Sequence, residues 1–259
     1  MRKRKYGCKK LIIEFDRTYF IMTLGFVLTG HYLNLIIFTS LIIIHELVHY
    51  ITARLNNFNV EKIIIYPYGG ITKISDMLNR DICEELLIAT AGIIIQYLFY
   101  LFILFLYKNS IIREYTYNLY NLYNNQMIFF NLLPIYPLDG GKILNLLLYK
   151  YFSFNKANIL TIIISIIIIV IIIVSSIISN SYSNIMVMIL LLTYIYKFYI
   201  NRKYLYRRFL LERYLYDIEY NKIKVINNIK NMYKNKTHLI NTNNTYIKEK
   251  KYLSTLFKK

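Results

Sequence analysis

The stretch "IIIHELVHY", Ile42–Tyr50, sets two histidines and a glutamate inside a run of sequence otherwise suited to a lipid bilayer. Ionisable groups are costly in hydrocarbon, so within a membrane segment they are functional or paired. In an HExxH pattern on a helix, His45 and His49 stand four residues apart and share a face. Both imidazoles can then reach one tetrahedral metal, and Glu46 beside them stands where a general base for hydrolytic water belongs. A zinc ion there supplies Lewis acidity toward a peptide carbonyl. Two plainer readings stand beside this one: a chance match, and a proton relay or transport ligand in a membrane.

The surroundings favour a membrane. Of 259 residues 56% are hydrophobic, and "ILTIIISIIIIVIIIVSSIIS", Ile159–Ser179, is long enough to cross a bilayer, which takes about 20 apolar residues. The mean hydropathy of +0.37 averages such runs with a polar tail. Between Arg17 and Arg54 the only formally charged residue is Glu46. That interval predicts two spans, Thr18–Thr29 and Tyr32–Ala53, joined by a turn in "TGHYLN". Further spans are expected at Leu86–Tyr107, Leu119–Leu148, Ile159–Ser179 and Ile185–Ile200. The fourth is interrupted by "NLLPIYPLDGGK", Asn131–Lys142, whose broken backbone survives at membrane depth only where protein buries it or it lines a cavity. "VEKIIIYPYGGITKIS", Val60–Ser75, is β-branched, carries Pro67 and Gly69-Gly70, and reads as a small hairpin or inserted loop.

The expected fold class is therefore an all-α polytopic membrane protein. It has about six transmembrane helices, a small membrane-associated β-hairpin and a short basic cytosolic tail, divided as residues 1–200 and 201–259. The net charge of +18 is uneven. "MRKRKYGCKK", Arg54, Lys62, Lys73, Arg80, Lys142, Lys150, Lys156 and the tail fall on one side of six spans, and only Lys108 and Arg113 on the other. The positive-inside rule puts that basic side, with both termini, in the cytoplasm. The basic opening followed by an apolar run lacks a small-x-small cleavage site and reads as a retained first span. Cys8 and Cys83, far apart, make neither a disulfide framework nor a thiolate metal site. No motif for nucleic acid accompanies the positive charge.

A catalytic zinc takes three protein ligands and keeps one position open. His31 lies on the same helix as His45 but roughly 20 Å away along it, too far to share a metal. His238 sits in the tail. A carboxylate is thus expected as third ligand, and Asp139, in the Pro-broken segment next to Gly140 and Gly141, has the right setting. A capping or turn role for Asp139 is the plainer reading, and Glu84 and Glu85 at the rim of the third span are competitors.

Taken together, "HELVH" in an early span, "YGG" soon after it, and "NLLPIYPLDGG" some ninety residues later resemble the site-2 protease family of intramembrane zinc metalloproteases. The resemblance covers roughly residues 10–200. Within the family, the compact layout without a PDZ insertion is most similar to the sporulation branch that processes a sigma-factor precursor. The resemblance implies one Zn2+ per chain held by His45, His49 and Asp139, with Glu46 as catalytic base. It implies that the "YPYGG" hairpin with Gly69 and Gly70, together with Asn131, Pro134 and Pro137, meets an extended substrate. On their own the two glycines read equally well as an ordinary turn. The implied partners are a membrane-associated substrate of the sigma-precursor type, inhibitory membrane proteins, the lipid bilayer and a further copy of the chain. The implied location is the membrane surrounding a forespore.

Two departures accompany it. The family often shows Ala-Gly-Pro in the third span, where this chain has Ala91-Gly92-Ile93. The sporulation branch often carries a nucleotide-binding CBS domain, for which residues 201–259, lacking glycine, are too few. "NRKYLYRRFLLERYLYDIEYNK" predicts instead a basic helix leaving the sixth span, either topogenic or resting on lipid or a substrate domain, and "NTNNTY" predicts a turn in a small appendage. The other functional readings are a site-2 protease acting on an anti-sigma factor or a signal-peptide remnant, a zinc or proton transporter, and a catalytically dead scaffold.

Overall fold

The computed structural model describes residues 11–67, 69–75, 78–179, 183–216, 218–242 and 245–257. The basic opening, with Cys8, and the centre of "NTNNTY" lie outside the described residues. The chain divides into two compact units, Arg2–Asp76 with Leu87–Leu132, and Met77–Leu86 with Leu133–Lys259.

In the first unit, strand β1 (Ile13–Phe15) leads into helix α1 (Arg17–Leu28), capped by the Asp16 carboxylate accepting from the Thr18 N–H, and then α2 (Tyr32–Leu55). Strands β2 (Val60–Tyr66) and β3 (Gly69–Ile74) form the expected antiparallel hairpin, with Tyr66 opposite Gly69. β1 adds to it in parallel, Ile13 opposite Ile63, so the sheet has the order β1-β2-β3 and β3 is an edge. Helices α3 (Ile82–Lys108, its Leu87–Lys108 part here) and α4 (Glu114–Leu132) follow.

The buried residues of α2 are Ile37, Leu41, Ile42, His45, Glu46, His49 and Ala53, one stripe at helical spacing. Its upper part joins Tyr19, Ile63, Ile65, Tyr120 and Met127 in the unit's core. Ile36, Ile51 and Leu55 are exposed on the other side of the helix, where lipid would lie. The three ionisable groups are thus on the protein-facing stripe, which is how a span can carry them.

In the second unit, α5 (Asp139–Tyr151), α6 (Phe154–Ile178) and α7 (Ser183–Tyr216) pack in sequence. The polar face of α6 is used: the Ser165 hydroxyl accepts from the Tyr136 N–H (3.1 Å), and Asn158 Oδ1 accepts from the Tyr149 hydroxyl (2.6 Å) and Asn145 (3.1 Å). Ile163, Ile167, Val170, Ile171 and Val174 are exposed.

Two expectations are corrected. The fold is not purely α with one hairpin, because the tail builds a second sheet. β4 (Ile223–Ile226) pairs in parallel with β5 (Thr237–Thr242), which pairs antiparallel with β6 (Thr245–Lys248), and α8 (Glu249–Phe257) packs against β5, β6 and α7. The spans also differ in extent. Four described helices, Tyr32–Leu55, Ile82–Lys108, Phe154–Ile178 and Ile185–Tyr216, are long and apolar enough to cross a membrane. The expected first span is a shorter apolar helix of 12 residues, and the expected fourth is two helices, α4 and α5, separated at the Pro134–Pro137 loop.

The tail is held by Arg213 of α7. Its guanidinium donates to Glu249 (2.9 and 3.1 Å), to the carbonyls of Tyr233, Lys234 and Lys236, and through Nε to Asn79 Oδ1 (2.9 Å). His238 Nε2 accepts from the Tyr233 N–H (3.0 Å), so the proton is on Nδ1, which donates to Glu249 (3.0 Å). Burial, then the Arg213 and Lys224 charges, hold the His238 pKa below its ordinary 6.5 against the opposing pull of Glu249. Burial pushes the Glu249 carboxyl up, but the His238 hydrogen bond and Arg213 outweigh it and leave its pKa lowered.

The sign follows from linkage. As pH falls through 6.5 the unfolded tail takes up a proton that folded His238 resists, and below 4.5 protonation of Glu249 removes a second contribution. The tail is therefore expected to become protease-sensitive as pH is lowered from 8 to 5. Limited proteolysis across that range, with His238→Gln beside the native chain, checks it: the substitution flattens the upper part of the profile.

Candidate metal centre

His45, Glu46 and His49 are each at most 4% exposed. The His49 Nδ1–H donates to the Ile88 carbonyl of α3 (2.7 Å), which offers only an acceptor and so fixes the tautomer. The Nε2 lone pair of His49 is then turned toward His45 Nε2, 3.0 Å away, with the rings at 80° and centroids 4.6 Å apart. A backbone carbonyl bound to the far ring nitrogen is the usual support of a metal-binding histidine. Two ring nitrogens converging in a buried place form a donor set that suits a borderline cation such as zinc.

Gly92 of α3 closes in from one side. A Cβ there would lie 2.5 Å from His45 Cε1 and 2.5 Å from His49 Nε2. β3 closes in on Glu46. The Thr72 hydroxyl donates to Glu46 Oε2 (2.7 Å), and a Cβ on Gly70 would lie 2.2 Å from Glu46 Cγ. The carboxylate is thus aimed by one hydrogen bond and by a strand that approaches closely only because residue 70 has no side chain. Gly69 begins β3 at φ 148°, a region that favours glycine, and has no neighbour within 4 Å of a would-be Cβ.

Asp139, 4% exposed, is the first residue of α5, after the extended Leu138, and accepts from Lys142 Nζ (2.9 Å). Asp139 belongs to the second unit, and its part as a third ligand beside His45 and His49 belongs to the proposed function. The competitors are engaged elsewhere: Glu85 takes the buried Lys234 (2.6 and 2.7 Å), and Glu84 lies 3.8 Å from Arg80. His31 is the residue before α2, and His238 belongs to the tail cluster. Asn131 is half-buried in the last turn of α4, and Pro134 and Pro137 are half-buried in the loop before α5.

Sequence reasoning missed Thr72 and the supporting part of Gly92. Thr72 sits in "GGITKIS" with no pattern to distinguish it; Gly92 stands out only as a small residue inside a bulky apolar helix.

The chain is similar to known proteins over part of its length. Residues 33–113, which include both histidines, Glu46 and Gly92, match the model of peptidase family M50. Over 143 residues the chain is 36% identical to stage IV sporulation protein FB of Bacillus subtilis (strain 168), covering 55% of this chain and 49% of that one. It is 30% identical over 131 residues to a zinc metalloprotease of Methanocaldococcus jannaschii, covering 48% and 37%. The chain thus matches about half the length of the first relative, or less of the second. Its fold is similar to the solved site-2 protease of Methanocaldococcus jannaschii, with a TM-score of 0.57 at 21% identity over 74% of this chain and 92% of that structure.

Proposed function

From the match of residues 33–113 to peptidase family M50 and the likeness to two curated relatives, we propose that this multi-pass membrane protein is a member of the site-2 protease family, an intramembrane zinc metalloendopeptidase. It would cleave a membrane-associated protein near the cytosolic face. The observation that carries the reading is the pairing of the converging His45 and His49 nitrogens with a Glu46 carboxylate held by Thr72 of strand β3.

In this proposal His45, His49 and Asp139 hold one zinc ion, which supplies Lewis acidity toward the substrate carbonyl. Glu46 takes the proton of the attacking water and returns it to the departing amine. A helical substrate hides its amides, so it must be unwound before attack. The free edge of β3, with Gly69 and Gly70, offers it a strand to pair with. Asn131, Pro134 and Pro137 belong to the substrate path. The substrate is assigned to the sigma-factor-precursor type by likeness to the sporulation relative. Six membrane passes with both termini cytoplasmic, a membrane around a forespore, inhibitory membrane proteins and self-association belong to the same proposal.

Co-expression with a tagged sigma-precursor substrate tests it. Processing by the native chain, lost with Asp139→Ala, supports both the activity and the substrate class. An intact precursor alongside cleavage of an anti-sigma factor or a signal-peptide remnant keeps the protease and removes the substrate assignment. No cleavage of any of the three favours a transporter or scaffold.

A further inference from the structure

Several cations of the second unit are matched by carboxylates: Lys234 by Glu85, Arg208 by Glu212 and Arg213 by Glu249. A second set has no acidic partner among the described residues. Lys150 ends α5, Lys156 opens α6, Lys203 lies on α7, and Lys230 lies in the 3-10 turn Ile229–Asn231; all four are exposed. Tyr151 and Tyr204, 75% and 65% exposed, stand among them.

These residues share one level. Phe154, at the start of α6, stacks on Phe209 of α7 (4.4 Å) and contacts Tyr206 (6.1 Å), so the opening of α6 lies beside the part of α7 that follows Lys203. The Phe154 N–H donates to the Met232 carbonyl (2.9 Å), the Asn155 side chain to the Lys230 carbonyl (3.4 Å), and the Tyr206 hydroxyl to the Ile229 carbonyl. The 3-10 turn is therefore fastened to the same corner. From Lys156 to Lys197 the sequence contains no charged residue. α7 has 34 residues, about 51 Å at the helical rise, against about 30 Å of hydrocarbon. Its last turns must project into water, and the apolar stretch gives way at Lys156 on α6 and between Lys197 and Lys203 on α7. Exposed tyrosines and lysines without carboxylates at that level match a headgroup layer carrying phosphate.

We propose that this corner, with Lys150, Lys156, Lys203 and Lys230 around Tyr151 and Tyr204, is a docking surface for anionic lipid headgroups that seats the C-terminal module on the bilayer. The occupant is lipid phosphate of the phosphatidylglycerol kind, because these four cations stand at the level where the charge-free stretch of α6 and α7 ends. The module would then be ordered by the membrane that the enzyme works in, independently of how the metal centre performs.

The test uses the full chain in nanodiscs of phosphatidylcholine alone or mixed with phosphatidylglycerol, read by amide hydrogen exchange over residues 227–232. The expected result is roughly tenfold or greater slowing in anionic discs, reversed by high salt and absent from K150Q/K156Q/K203Q/K230Q. Metal content and proteolytic stability in detergent report that the variant is folded. Equal exchange in both discs overturns the proposal. So does slowing in neutral discs on adding inorganic phosphate, which assigns the cations to a soluble anion, or slowing by an acidic protein without any lipid response.

Discussion

On the proposed function, replacing Glu46 with glutamine is expected to lower peptide cleavage about 10²- to 10⁴-fold, the range for a lost general base, while leaving bound metal unchanged. Glutamine keeps the shape of the side chain and can still accept from the Thr72 hydroxyl, which now donates to Oε2 at 2.7 Å. What disappears is the ability to take a proton. The measurement is initial cleavage rate in reconstituted membranes beside metal analysis of the same preparation. A variant that retains rate places the base elsewhere, and one that loses metal as well makes Glu46 a structural support of the centre. Thr72→Val separates aiming from proton transfer. It should lower the rate by a smaller factor, because the carboxylate stays close to Gly70 but loses its one oriented hydrogen bond.

The second large effect comes from a single methyl group. In open helix Gly92→Ala would be mildly stabilising, since alanine is the better helix former by up to about 1 kcal/mol. Here the added Cβ would stand 2.5 Å from both His45 Cε1 and His49 Nε2, closer than atoms can pack. The imidazoles must turn or α3 must shift, and the hydrogen bond from His49 to the Ile88 carbonyl ties those two movements together. We expect bound metal to fall at least tenfold and cleavage about 10²-fold, the cost of a displacement on the order of 1 Å at a reacting centre. Thermal stability measured in the presence of chelator should change little. A loss of stability equal with and without chelator would show a general packing role in place of a metal-centre one.

What was readable in the sequence follows the reach of each signal. His45, Glu46 and His49 were legible because a helix converts a spacing of four into a shared face, and nothing beyond the local turn is needed. The long spans were legible from length alone, as at Phe154–Ile178. α4 was harder, because "EYTYNLYNLYNNQMIFFNL" mixes polar and apolar residues and buries only Tyr120, Asn124 and Met127. β1 could not be read: it has three residues and exists by pairing with β2 some fifty residues later. The tail sheet was hidden for a related reason. Its strands lie in Asn- and Lys-rich sequence, and its organising contact joins Arg213 to Glu249, 36 residues apart. Thr72 reaches Glu46 across 26 residues, a distance no local pattern encodes.

Asp139 was expected as a ligand from its setting and by elimination, and the engagement of Glu85 by Lys234 strengthens the elimination. The account stands on these three donors. The most direct measurement is metal stoichiometry by plasma mass spectrometry on the purified chain, with Glu46→Gln, His49→Ala and Asp139→Ala beside it. The account predicts about one zinc per chain in the native protein and in Glu46→Gln, and a marked loss in both ligand variants. A native chain without metal, or an Asp139→Ala variant that keeps it fully, would contradict it.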